Sequence, residues 1–346
     1  MNDLSLAARD AFLSRLKEFR YDAAYVCRSF PTSVLAGLGL RPVRIPLSVY
    51  DRSCTPVRED ICPVVDLFSG AILESAVSVV AGMHTCDMTR RFFQEASRFT
   101  DVPVNQLQLP ATGGKAAEDF FASEVERFCK DIILNDLSEG YSLEKTKEWY
   151  NKAREGSELL EGLILSLPPV ALQYFYHFFR IMVPESAISL IRELVDSYPP
   201  YSGRFRLLLT GSPVIPGDDV AAEIVEEAGG YLIPVNCTGT QMFSVEEPDD
   251  WSPASIARVR FKSQKCIRCR PNSDTYDHLT DMTEKYSACG VVVKTLSFCD
   301  LWYTEKARMK NSLRVPALIV DSGLKKGEAE RTAMRIETFI QSLGAL

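Results

Sequence analysis

The sequence predicts an α/β protein built from two open parallel-sheet domains with a helical block between them. Three observations predict it. Short apolar and β-branched runs alternate with helical runs over residues 20–110, and again from 201 onward. The stretch 114–198 carries helix-period patterns instead. "PPYSG" at 199–203 then separates that block from the second alternation. The expected organisation is an N-terminal α/β domain with a leading helix (1–113), a helical segment (114–200) and a C-terminal α/β domain (201–346).

The elements follow in order. "MNDLSLAARDAFLSRLKEF" reads as an amphipathic helix with charges throughout; lacking an apolar core region, it does not read as a signal peptide. "AAYVCRSFP" and "RPVRIPLSV" read as strands, "ESAVSVVAGMHTCD" as a helix or loop entering a short buried strand that ends at Cys86, and "VPVNQLQLP" as a further strand. "KAAEDFFASEVERFCKDIIL", "SLEKTKEWYNKAREGSELLEGLI" and "PESAISLIRELVDSY" place apolar residues at i, i+3, i+4 and i+7. "GLILSLPPVALQYFYHFFRIMV" comes nearest to a membrane span, but Pro168, Pro169, His177 and Arg180 interrupt it, so it reads as a buried helix. In the second alternation "FRLLLTGSPV", "YLIPVNCTG", "GVVVKTLSFCD" and "VPALIVDSG" read as strands, and "GDDVAAEIVEEAGG", "SDTYDHLTDMTEKYSAC" and "GEAERTAMRIETFIQSLG" as helices.

Composition narrows the function classes. A net charge of −7 argues against a nucleic-acid binder, which needs a basic face. The absence of an apolar run long enough to span a bilayer argues against a membrane protein. Ten cysteines without an export signal predict a reduced, cytoplasmic chain rather than a disulfide framework. Many cysteines beside three histidines point to metal held by thiolate, against the plainer reading of buried cysteines as small apolar residues.

Position sorts the cysteines. Cys86, Cys237 and Cys299 end predicted strands, where open α/β sheets bind ligands. Cys62 precedes a helical stretch; Cys266 and Cys269, in "KCIRCRPN", precede another helix. Cys129 has helix-core spacing and Cys289 sits at a helix end, so both read as structural, while Cys27 and Cys54 stay unassigned. One close pair without a suitably spaced histidine disfavours structural zinc. A redox C-x-x-C would open a helix directly after a strand, and Pro271–Asn272 cap such a helix weakly. Both are less favoured than iron–sulfur ligation, and all three stay open on spacing alone.

Together "AYVCRSFPTSVLAGLGLRPVRI", "EDICPVVDLFSG", "HTCDMTRRF", "GVVVKTLSFCD" and "VPALIVDSG…AERTAMRIETFIQSL" resemble the 2-hydroxyacyl-CoA dehydratase D-component family, which includes benzoyl-CoA reductase subunits. The resemblance covers nearly the whole chain. It implies two Rossmann-like domains with a metal cluster in the cleft between them, a [4Fe-4S] cluster on Cys62, Cys86 and Cys299. "VNCTG" followed by "KCIRCRPN" resembles the double-cubane subgroup of that family. There, three further thiols hold a second cubane bridged to the first by a sulfide, an [8Fe-9S] centre; here they would be Cys237, Cys266 and Cys269. The subgroup's pair is C-x-C and this one is C-x-x-C, so Cys266 keeps its distance to Pro271 and Cys269 is shifted by one.

The resemblance further implies a homodimer, working anaerobically, that reduces a small molecule with low-potential electrons. A separate homodimeric ATPase with its own [4Fe-4S] cluster would deliver them. "TGSPVIPG" lacks the G-K-[ST] ending of a phosphate loop, so ATP hydrolysis is not expected here. His84 and Arg90, near Cys86, are candidates to supply protons or charge to a bound substrate, against the plainer reading as surface or cap residues. Two alternatives stand beside this reading: a single-[4Fe-4S] subunit of a dehydratase (a lyase) or aromatic acyl-CoA reductase, and a non-catalytic Fe–S scaffold with exposed, labile ligands.

Overall fold

The computed structural model describes residues 1–18, 21–45, 62–73, 77–98, 100–239, 246–322 and 326–344. Cys54 and the end of the run "RPVRIPLSV" lie outside the described residues. Two four-stranded sheets, parallel throughout, form the framework. The first has the order β2-β1-β3-β4, from β1 (Ala23–Tyr25), β2 (Pro42–Arg44), β3 (Val79–His84) and β4 (Val104–Gln108). The second, β6-β5-β7-β8, comprises β5 (Phe205–Gly211), β6 (Gly230–Pro234), β7 (Gly290–Leu296) and β8 (Ala317–Ser322). Both orders reverse beside the first strand of their unit, which puts a topological switch point between β1 and β3 and another between β5 and β7. The expected α/β class with two Rossmann-like units is the fold observed.

Helices cover the sheets. α2 (Thr32–Gly37), α5 (Lys115–Leu134) and α10 (Pro253–Lys262) enclose one face of the first sheet. The opposite face shares one core with the second sheet, through α1 (Asp3–Glu18), α3 (Pro63–Leu73), α7 (Pro169–Ile181) and α8 (Pro184–Asp196). Every residue of α7 is buried, as its near-unbroken apolar composition demands. Pro169 opens it at the position where a missing N–H costs nothing. α9 (Val220–Glu227), α11 (Ser273–Lys285) and α14 (Lys326–Ser342) complete the second unit, with α6 (Leu143–Leu163) packed against α2 and α8.

Two elements cross the expected boundaries. α1, grouped by sequence with the first domain, bonds to the second: Ser5 Oγ donates to Glu226 at 2.7 Å, and Arg9 pairs with Asp219 and Glu223 at 2.9 and 2.6 Å. α10, which the sequence reading left unassigned, returns from the second unit to pack on α5. It buries Ile256 and Ala257 in the core of the first.

Candidate metal centre

The loops beyond the strand ends carry the thiols. Cys62 stands immediately before α3, with Pro63 as the first helical residue. Its carbonyl accepts from the Val65 and Asp66 N–H groups at 2.9 and 3.1 Å, and its thiol accepts from the backbone of Val64 and Val65. Cys86 follows β3 and caps α4 (Asp87–Glu95): its sulfur accepts from the Thr89 N–H at 3.5 Å, while the Thr89 hydroxyl accepts from the Cys86 N–H at 3.2 Å. Cys299 follows β7 and precedes the short helix α12 (Asp300–Tyr303); its thiol is bonded to Ser212 and to the Trp302 backbone. All three thus sit at helix starts, where exposed N–H groups favour a thiolate or anything anionic bound to it.

Two local devices hold the Cys299 loop. Gly211, at the end of β5, has φ +124°, and a Cβ there would overlap the Lys294 backbone of β7. Only glycine lets β5 and β7 approach so closely at the turn. That turn leads to Ser212, whose hydroxyl accepts from the Leu296 N–H at 3.0 Å.

Cys237 follows β6 inside a 3₁₀ turn, Asn236–Thr238, and the residues around it explain "NCTG". Asn236 adopts a left-handed backbone (φ +56°), which Asn tolerates, and its amide reaches the Thr210 hydroxyl at 3.3 Å. The Thr238 hydroxyl bonds to the Leu209 and Val235 carbonyls at 2.7 and 2.6 Å. At Gly239 a Cβ would lie 2.7 Å from the Pro234 ring. Each flanking residue fixes the backbone that presents Cys237.

"KCIRCRPN" is pinned to the other unit. Ile267 is in the core (1% exposed), so the two cysteines flank a buried anchor. Arg268 donates to the Pro110 carbonyl at 2.7 Å and also to that of Leu109; the Arg270 N–H donates to Ala111 at 2.7 Å, and Arg270 forms a parallel bridge with Thr112. Asn272 is held between Glu305 (2.8 Å) and Arg308 (2.6 Å). The loop is therefore laid along the strand exit of the first sheet.

The thiols fall into two adjoining groups. Burial pushes Cys62 up to about 12, and the nearby Cys299 and Cys86 add to this. Burial likewise raises Cys299, with Cys86 and Cys237 contributing, so Cys299 faces both groups. Cys266 is raised by burial, then by Cys237, Cys27 and Cys269. Cys237 is raised by burial and by Cys27, against the charges of Arg28 and Arg44. Cys269 is raised by burial; its neighbours are Arg268, Asp274 and Arg270, with the Cys266 backbone bonded to its sulfur. The buried thiols that are raised in this way are protonated at neutral pH, so binding a metal there must expel protons.

Cys27 belongs to the second group, a placement the sequence left open. It stands just beyond β1, at a strand end like Cys86, Cys237 and Cys299, and that shared position was the available signal. Its sulfur accepts from the Ser29 N–H at 3.4 Å. Cys129 is buried on α5, as its spacing predicts, and Cys289 donates to the Arg206 carbonyl at 3.3 Å. His84 is bonded to Gln106 on the neighbouring strand, and Arg90 is paired with Asp87 at 2.6 Å on the exposed side of α4. These partners account for both side chains without a substrate.

No three His, Cys, Asp or Glu side chains among the described residues are arranged to hold a single metal ion. A tetrahedral zinc site would bring its sulfurs to roughly 4 Å of one another. Sulfurs that each bind a different iron of a cluster stand further apart, which suits buried thiols supplied by separate loops.

Comparison with known proteins agrees with this architecture. The family described as "2-hydroxyglutaryl-CoA dehydratase, D-component" matches residues 27–343. The protein named "Putative dehydratase subunit YjiM" of Escherichia coli (strain K12) is 23% identical over 287 residues, covering 77% of this chain and 74% of its own. With nearly the whole chain matched, seven of the eight strands and every described strand-end cysteine included, this protein belongs to the 2-hydroxyglutaryl-CoA dehydratase D-component family.

Proposed function

We propose that this chain is an iron–sulfur reductase with an [8Fe-9S] double-cubane centre, its first half on Cys62, Cys86 and Cys299 and its second on Cys237, Cys266 and Cys269. The observation that carries the reading is the position of Cys299, which lies in the fields of both Cys86 and Cys237. Two trios that share a boundary suit two cubanes joined by a bridge. Such a centre supplies low-potential electrons when bound, its potential set by burial and by hydrogen bonds to sulfur. The chain provides both. The N–H groups of Val64, Val65, Thr89 and Trp302 point at the first trio, and the Arg28 and Arg44 charges oppose burial at Cys237. The six candidate ligand cysteines are half-buried between the two units, which limits the access of water to their sulfurs. Half-buried ligands supplied by loops of both units argue against an Fe–S scaffold that must release its cargo.

Electrons would come from an ATP-hydrolysing homodimeric activator carrying its own [4Fe-4S] cluster, with this chain acting as a homodimer on a small molecule. The family match and the dehydratase name of the Escherichia coli relative favour a second reading, a dehydratase subunit with one [4Fe-4S] cluster on Cys62, Cys86 and Cys299. Iron and acid-labile sulfide per chain, on anaerobically reconstituted protein, decide between them. About eight irons with about nine sulfides support the double centre, and about four of each leave the first trio alone. The double variant Cys266→Ala, Cys269→Ala should lose about half the iron; unchanged iron would sink the double-cubane reading.

A further inference from the structure

We propose that Arg44 and Arg260 form a seat for a small carboxylate, whose apolar body lies against Trp149 and Phe179. Both arginines line one cleft of about 420 Å³, counting its open mouth, with Arg28, Thr32, Trp149 and Phe179 among its other walls. Among the described residues no cysteine lines it. An adjoining cleft of about 330 Å³ shares Thr32, Trp149 and Arg260 and continues the apolar wall with Phe30 and Ile256.

Arginine charge gathers in this region, buried at Arg44 and Arg180 and half-buried at Arg260. Arg44 is 7% exposed; its Nε donates to the Val26 carbonyl at 2.9 Å. Arg180, 4% exposed, donates to the Val214 carbonyl, and Arg260 to the Arg28 carbonyl. Among the described residues no carboxylate pairs with Arg44, Arg180 or Arg260. Arg44 instead adds its charge against Arg180, and Arg28 against Arg260. Buried cations held only by carbonyl dipoles are costly, and a bound anion offsets that cost. Planar guanidinium forks match a carboxylate in two-point contact, and the aromatic wall suits a short carbon skeleton better than a bare inorganic ion.

The site lies beside the second thiol group, since Arg28 and Arg44 act on Cys237 and Arg260 on Cys27. As the substrate class of the reductase, the proposal rests on the proposed function. As a binding site it does not, and iron counts on each variant separate the two failures.

The test is calorimetric titration of the anaerobically purified protein with acetate and benzoate, with their neutral amides, and with sulfate. The carboxylates should bind at least ~10-fold more tightly than the amides, because the amides leave the guanidinium fork unmatched. Arg44→Met and Arg260→Met should each weaken the carboxylate ~10-fold or more, and Arg44→Lys should fall between Arg44→Met and the parent. Amides binding as well as carboxylates would overturn the proposal on the parent protein, without any variant. So would sulfate binding more tightly than either carboxylate. Methionine variants that lose iron yet keep carboxylate affinity would assign the arginines to the thiol centre instead.

Discussion

Acid should loosen this protein through His177, and the size of the effect follows from its surroundings. The imidazole lies in α7, between the two sheets, and is 1% exposed. Among the described residues neither ring nitrogen has a hydrogen-bond partner, the Phe12 and Tyr174 rings stand 5.9 and 5.7 Å away, and the charges of Arg180 and Arg44 oppose a proton. Burial first, and then those two charges, hold His177 well below the ordinary histidine range. The folded chain therefore keeps it neutral while the unfolded chain takes up a proton below about pH 6.5, so stability is present above that pH and lost below it. For one such group the loss between about pH 7.5 and 5.5 is about 1.4 kcal/mol. His278, half-buried and lowered to about 4 chiefly by burial, adds a smaller loss of the same sign. His177→Phe removes the first contribution and also two unpartnered buried nitrogens. Its urea-unfolding free energy should then fall by about 1.4 kcal/mol less than the parent's over that pH range. Parallel pH profiles for variant and parent would refute the reasoning, because His177 would then be charged, or bonded, in the folded state.

Three further outcomes follow from the site. Gly211→Ala forces a Cβ into the Lys294 backbone at φ +124° and should cost more than about 3 kcal/mol, lowering both thermal stability and iron content; a stable, fully loaded variant would contradict the β5–β7 geometry. Asn236→Ala strains the left-handed turn and removes the Thr210 bond, costing about 1–2 kcal/mol, with iron lost mainly from the second trio; loss of all iron would place Asn236 in a shared support instead. Cys27→Ser should keep the parent's iron and sulfide while altering the visible spectrum, because Cys27 adjoins Cys237 and Cys266. A drop in iron matching that of Cys266→Ala would make Cys27 a ligand in place of Cys269.

The alternation of strand and helix was readable because each strand is a short apolar run with a turn behind it. The long helices of the middle block matched their patterns closely: "KAAEDFFASEVERFCKDIIL" is α5 from end to end. Two strands of the first sheet, those expected in "AAYVCRSFP" and "VPVNQLQLP", are shorter than their apolar runs. "AAYVCRSFP" forms only three strand residues before the chain turns at Cys27, because Pro31 and the short helix α2 end the run. α10 escaped notice because "SPASIARVRFK" carries a weak apolar stripe, and its burial depends on α5, which is distant in sequence. The thiols were found from strand ends and spacing. The proposed arginine seat was not, since residues 44 and 260 share no spacing and only the fold brings them to one cleft.

The crossings of the chain decide how the candidate centre can exist at all. Were the two sheets independent domains, a cleft between them could open and the six thiols would part with it. Instead α1 bonds to Asp219, Glu223 and Glu226, α10 packs on α5, and Arg268 and Arg270 tie the Cys266–Cys269 loop to Leu109, Pro110, Ala111 and Thr112. A loop of the second unit is thus positioned by the first, while Cys62 and Cys86 of the first meet Cys299 of the second across the same cleft. Neither half holds a complete set of thiols in place without the other. The second group therefore owes its placement to contacts that only the whole chain supplies, which makes the sulfur geometry a product of the complete fold and not of either sheet.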